Sequence, residues 1–165
     1  MRRERKTQQL QIRVSPSQKR TIQQRAREAR MNVSDWVLSK LIPSPQLQFH
    51  ELVAALSRSK KPGYVFAELL DLLADLNAVQ YEEVVAQAPS AHLDPYWANY
   101  LAATVEHAAA QKKVKPPTWT RNVAPLEEPV FGSSLQSLRT HLLLSSPPAF
   151  NRRNLFIDAS VGDRA

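Results

Sequence analysis

The stretch Gln9-Leu10-Gln11-Ile12-Arg13-Val14-Ser15-Pro16-Ser17-Gln18 decides how this chain begins to fold. Its first six residues alternate polar and apolar with period 2, which predicts a strand with one dry face and one wet face. Leu10, Ile12 and Val14 form the dry face, and Gln9, Gln11 and Arg13 the wet one. The next four residues predict a helix start. Ser15 is a natural N-cap, Pro16 suits the first helical position, and Gln18 stands at capping-box spacing.

The helix that follows should run from about residue 16 to 30, with Ile22, Ala26 and Ala29 as a thin apolar stripe. Met31-Asn32 interrupts it. Asn32 can cap a second helix with Asp35 as its reciprocal partner, and Val33, Trp36, Val37, Leu41 and Ile42 give that helix its apolar side until Pro43 and Pro45 end it. A lone strand leaves its backbone groups without partners. The economical solution is a second copy: two strands pair antiparallel, and four helices cover their dry face. One copy holds too little apolar material for a core of its own.

In this order, the strand, the Ser-Pro helix start, the basic amphipathic helix and the Asn-x-Ser-Asp-Trp-Val helix resemble the ribbon-helix-helix repressors and antitoxins. The resemblance covers about residues 7–43, a quarter of the 165-residue chain. It implies a homodimer whose two-stranded ribbon lies in the major groove of double-stranded operator DNA. It also implies that Gln9, Gln11 and Arg13 read base edges, and that Asn32, Val33 and Ser34 meet a phosphate. The chemistry agrees, since Gln can bond bidentately to adenine, Arg to guanine, and a helix N-terminus attracts anions. The bland alternative is a solvated face of an edge strand. The chain departs from the family at Arg30 and Met31, where glycine is common. Arg2, Arg3, Arg5 and Lys6 suit either a basic arm touching phosphates, chiefly through Arg5 and Lys6, or a solvated tail.

Charge supports a division at residue 43. Residues 1–42 hold 11 basic and 3 acidic residues, a net of 11 − 3 = +8, and the remaining 11 basic and 12 acidic residues give 11 − 12 = −1. A basic head on a near-neutral body points to a polyanionic partner for the head. The expected organisation is therefore 1–43, a DNA-binding and dimerisation domain, and 44–165, a helical body with an irregular extended C-terminal tail. The fold class is mainly α. Helices are expected over 46–57, 64–77, 79–87, from 95 to about 112, and 134–144, with a turn at Lys60-Lys61-Pro62-Gly63 and a short strand over 154–158.

The C-terminal third is proline-rich and holds Trp119, Phe131, Phe150, Arg152, Arg153 and Phe156 on segments with weak local signals. Aromatic and Arg anchors of this kind suit a partner surface. They equally suit irregular loops packed onto the helical body. The tail is similar to the carboxy-terminal parts of antitoxins, which implies a cognate toxin as partner, of nucleotidyltransferase-like type. That resemblance makes the expected function an antitoxin that blocks its toxin through the tail and represses its operon through the head. The alternative is a plain regulator, or a plasmid-maintenance or mobilisation accessory DNA-binding protein that contacts a relaxase or partition partner.

Little points to catalysis. The chain has no cysteine and three glycines, and neither phosphate-loop nor dinucleotide-loop spacing occurs. His50, His92, His107 and His141 share no metal-ligand spacing. Glu82-Glu83 diverge around a helix, and Glu127-Glu128 sit among prolines. Asp71 and Asp75 share a face at i and i+4, as a solvated pair does. The expectation is a binding protein, not an enzyme, with no cofactor and no metal. No apolar run suits a membrane span or a signal peptide, so a cytoplasmic location is expected.

Overall fold

The computed structural model describes residues 11–41 and 43–158. It is mainly helical, and it divides into two compact units, Met1–Pro43 and Ser44–Ala165.

In the first unit, α1 (Pro16–Glu28) begins on the capping box that the sequence predicts. Ser15 Oγ accepts from the Gln18 N–H at 3.2 Å, and Gln18 Oε1 accepts from the Ser15 N–H at 2.9 Å. The helix ends at Arg30, whose φ of 55° lies in the left-handed region. There the Met31 N–H reaches Ala26 O at 2.9 Å and the Arg30 N–H reaches Arg27 O at 3.0 Å. These are the two bonds of a Schellman cap, made here without glycine. α2 (Val33–Leu41) follows. The two helices pack against each other, burying Ala26 and half-burying Ile22, Trp36 and Val37.

The expected strand differs. Gln9 and Leu10 lie outside the described residues, and residues 11–14 form no ladder. Ile12 is 58 % and Val14 42 % exposed. A strand needs a neighbour for its N–H and C=O groups, and among the described residues the head of a single chain supplies none.

The second unit is built on α3 (Pro45–Leu56), α4 (Pro62–Asp75), α5 (Ala78–Val85) and α6 (Pro95–Gln111). Ser44, Asn77 and Asp94 cap α3, α5 and α6, accepting from Leu47, Gln80 and Trp97 N–H groups. Prolines open α3, α4 and α6 at positions where the missing N–H costs nothing. Phe49, Val53 and Leu56 from α3, and Phe66, Leu69 and Leu73 from α4, meet Tyr81, Val84 and Val85 from α5 and Leu101, Val105 and Ala109 from α6 in one core. A run of alanines at 102, 103, 108 and 109 lets neighbours approach α6 on most sides.

After α6 the backbone is irregular through a 3₁₀ turn (Thr118–Asn122) to β1 (Val130–Phe131). α7 (Gln136–Ser145) and α8 (Pro148–Asn151) then lead to β2 (Leu155–Phe156). The strands pair in parallel, Val130 with Leu155 and Phe131 with Phe156. Parallel neighbours require a crossover, and α7 and α8 provide it. Ala103, Ala149, Phe150, Leu155 and Ile157 form a second core beside the first.

Candidate nucleic-acid interface

The head places its predicted side chains at the surface. Gln11 and Arg13 are exposed, and no ion pair involves Arg13 among the described residues. Arg13 lines an apolar groove with Ile12, Val14, Lys19, Ile22, Gln23, Val33 and Val37. Lys19 and Gln23 were not among the predicted contacts. Their signal is the i, i+4 spacing that places both on one side of α1, flanking Ile22. Gln9, Arg5 and Lys6 lie outside the described residues.

At the start of α2, Asn32, Val33 and Ser34 are all exposed. Asn32 Oδ1 accepts from the Asp35 N–H at 2.8 Å, and Asn32 Nδ2 donates to Asp35 Oδ2 at 2.5 Å. The Asn32 side chain is thus occupied in capping. An anion at this helix end would meet the backbone N–H groups of the first turn, where the helix dipole favours negative charge. Lys19, Arg20, Arg25 and Arg27 are exposed along α1 and extend the positive surface.

The predicted anchors of the C-terminal third are placed otherwise. Trp119, Phe150, Arg153 and Phe156 are buried, with Arg153 only 5 % exposed. Trp119 Nε1 donates to Val85 O at 2.8 Å. The Arg153 guanidinium donates to Glu106, Asn99, Thr120 O and Val123 O. The Phe150 ring packs edge-on against Tyr100. Arg153 and Phe150 hold the last segments onto α6, and Trp119 ties the 3₁₀ turn to α5, because buried donors need partners and the neighbouring carbonyls supply them. Phe131 is half-buried, stacked 5.1 Å from Phe156, and Arg152 is exposed.

Phenols on α6 and α5 face a drier environment than water. Burial, and secondarily Tyr96, push Tyr100 up to about 12. Burial, and secondarily Glu106, push Tyr81 upward, and the Tyr81 hydroxyl donates to Val105 O. Among the described residues no group of three or more metal-ligating side chains comes together.

Residues 4–43 match the NikA-like family, described as mobilization protein NikA. The matched segment is the basic head, and it ends where the first compact unit ends. It covers about a quarter of the chain. Comparison with curated proteins and with solved structures returns no match. No described helix is long and apolar enough to cross a membrane.

Proposed function

We propose that this chain is a DNA-binding accessory protein of plasmid mobilisation. Its head dimerises, lays a two-stranded ribbon in the major groove, and its body contacts a protein partner such as a relaxase. The family match over residues 4–43 carries the reading. The charge division supports it, with +8 concentrated in residues 1–42. The uncovered apolar groove of Ile12, Val14, Ile22, Val33 and Val37 supports the dimer, since it is the surface a second copy would bury. In this reading Gln9, Gln11 and Arg13 read bases, while Arg5, Lys6 and the first turn of α2 at Asn32–Ser34 hold phosphates. The protein acts by binding, without catalysis, in the cytoplasm where plasmid DNA lies.

An antitoxin built on the same head would need a surface for its toxin. Four of the six residues expected to form it are interior, which favours mobilisation over toxin neutralisation. Two experiments separate the readings. Deleting the gene from a mobilisable plasmid should lower transfer frequency, and restoring it should recover transfer. Expressing the adjacent gene alone should leave growth unaffected. Normal transfer in the deletion, together with growth arrest by the neighbour, would overturn the mobilisation reading.

A further inference from the structure

The body's near-neutral balance conceals one strongly basic loop. Ser57-Arg58-Ser59-Lys60-Lys61-Pro62-Gly63-Tyr64 spans the α3–α4 turn and the start of α4, and it carries three cations and no acid. Arg58, Lys60 and Lys61 are exposed, and none takes part in an ion pair among the described residues. The loop is pinned by its own hydrogen bonds. Ser57 Oγ donates to Ala54 O at 2.9 Å, and the Arg58 N–H donates to Ala55 O at 3.1 Å. The Lys61 N–H donates to Ser59 Oγ at 3.0 Å. Its cations are therefore presented from a set backbone.

Tyr64 stands beside them, 73 % exposed, with Lys61 Nζ 5.9 Å from its ring centroid. The other three tyrosines, Tyr81, Tyr96 and Tyr100, are buried or half-buried. An aromatic ring left in water, with Lys61 over it and Arg58 and Lys60 on the preceding turn, none of the three in an ion pair among the described residues, fits one chemistry well. Phosphates satisfy the cations, and the flat face of a base covers the ring. A duplex offers the phosphates but hides its base faces in the stack, whereas an unpaired strand offers both.

We infer that the loop 57–64 is a contact surface for an unpaired nucleic-acid strand. Arg58, Lys60 and Lys61 engage neighbouring phosphates, and one base stacks on Tyr64. The recognition is sequence-tolerant, because every base has a π-face. This surface belongs to the second unit, and it would bind an unpaired strand whatever the head binds.

The test uses the full chain, with fluorescence anisotropy on a labelled oligo(dT) and, in parallel, on a duplex of unrelated sequence. Tyr64→Ala should weaken oligo(dT) binding about tenfold, and Tyr64→Phe should retain it. Lys60→Ala with Lys61→Ala should weaken it and reduce the magnitude of the salt slope by about 1.4, two phosphates at about 0.7 each. Duplex binding should be unchanged in all three, with circular dichroism confirming the fold. Oligo(dT) affinity equal in parent and variants would overturn the proposal. So would a parallel fall on the duplex, which would make the loop a plain backbone contact. A head that fails to bind duplex would leave the oligo(dT) comparison readable.

Discussion

Arg153 Nη2 lies 2.6 Å from Glu106 Oε1, an ion pair whose side chains are 6 % and 15 % exposed. It joins the last described segment of the chain to the middle of α6. The same guanidinium donates to Asn99 Oδ1 at 3.3 Å, Val123 O at 3.2 Å and Thr120 O at 2.8 Å. One side chain thereby fastens its own segment and the irregular stretch at Thr120–Val123 to α6. Its Nε is buried without a hydrogen-bond partner, so the cluster is incompletely satisfied.

Removing one member of such a pair strands the other in a dry environment. Arg153→Met should destabilise the body by about 3–5 kcal/mol, because Glu106 and two carbonyls lose their donor together. Arg153→Met with Glu106→Leu should recover part of that loss, since the stranded charge is gone. Chemical denaturation of the three proteins measures it. A single variant as stable as the parent would show that the cluster contributes no net stability.

The tyrosines give a pH dependence with a defined sign. Tyr100 is pushed up to about 12 from an ordinary value of 10.0, and Tyr81 is raised in the same direction. A phenol with a raised folded pKa favours the folded state while it is protonated. Its contribution is complete below pH 10 and is lost as pH rises toward 12. Phenolate absorbance and the helical circular dichroism signal should therefore change together above pH 10. In Tyr100→Phe part of the alkaline loss should disappear. Ionisation of Tyr81 and Tyr100 near pH 10 with the helices intact would contradict this.

Several helices were legible because they carry their own start signals. Ser15 with Gln18 and Asp94 with Pro95 are local chemistry, visible without the rest of the molecule, whereas Ser44-Pro45, expected only to end α2, caps and opens α3. The pairing of Val130 with Leu155 was not legible. Only the second strand carries a local signal, and its partner lies across a crossover fixed by packing. Nor could the sequence place Phe150 and Arg153 in the interior. A buried anchor and an exposed one look alike until Asn99, Glu106 and Tyr100 are brought to meet them. In the head, the period-2 alternation was legible, but residues 11–14 find no partner strand among the described residues.

Arg30 offers a test of the head's turn. A non-glycine residue in the left-handed region costs about 1–2 kcal/mol, while glycine in place of Arg30 adds about 0.5–1 kcal/mol of unfolded-state freedom. The first effect is the larger. Arg30→Gly should stabilise the head by up to about 1 kcal/mol, read as a higher midpoint for its thermal transition. A lower midpoint would mean that the Arg30 side chain makes a contact worth more than the strain.

Dimerisation has a comparably direct test. Ile12 and Val14 are 58 % and 42 % exposed, and Val33 is 41 % exposed. If a second copy covers them, Ile12→Glu should leave the chain monomeric at micromolar concentration in sedimentation equilibrium, with the body's helices unchanged. If the second copy completes the burial of the half-buried Trp36 ring, Trp36→Ala should weaken the dimer by about 3–5 kcal/mol, the usual loss for a buried aromatic. Retention of the dimer in Ile12→Glu would place the interface elsewhere.

Arg13 separates base reading from general attraction. It is exposed beside the groove and takes part in no ion pair among the described residues, so its removal leaves the head's packing intact. Arg13→Ala should weaken binding to the specific duplex by about 1–3 kcal/mol and relax preference at one base pair per half-site, while the dimer persists. Lys19→Ala, on the same groove, should instead weaken all duplexes alike and shallow the salt dependence by about one phosphate. Titrations of specific and unrelated duplexes at several salt concentrations distinguish the two behaviours. If Arg13→Ala lowers both affinities equally, the ribbon grips the backbone and the sequence is read by other side chains.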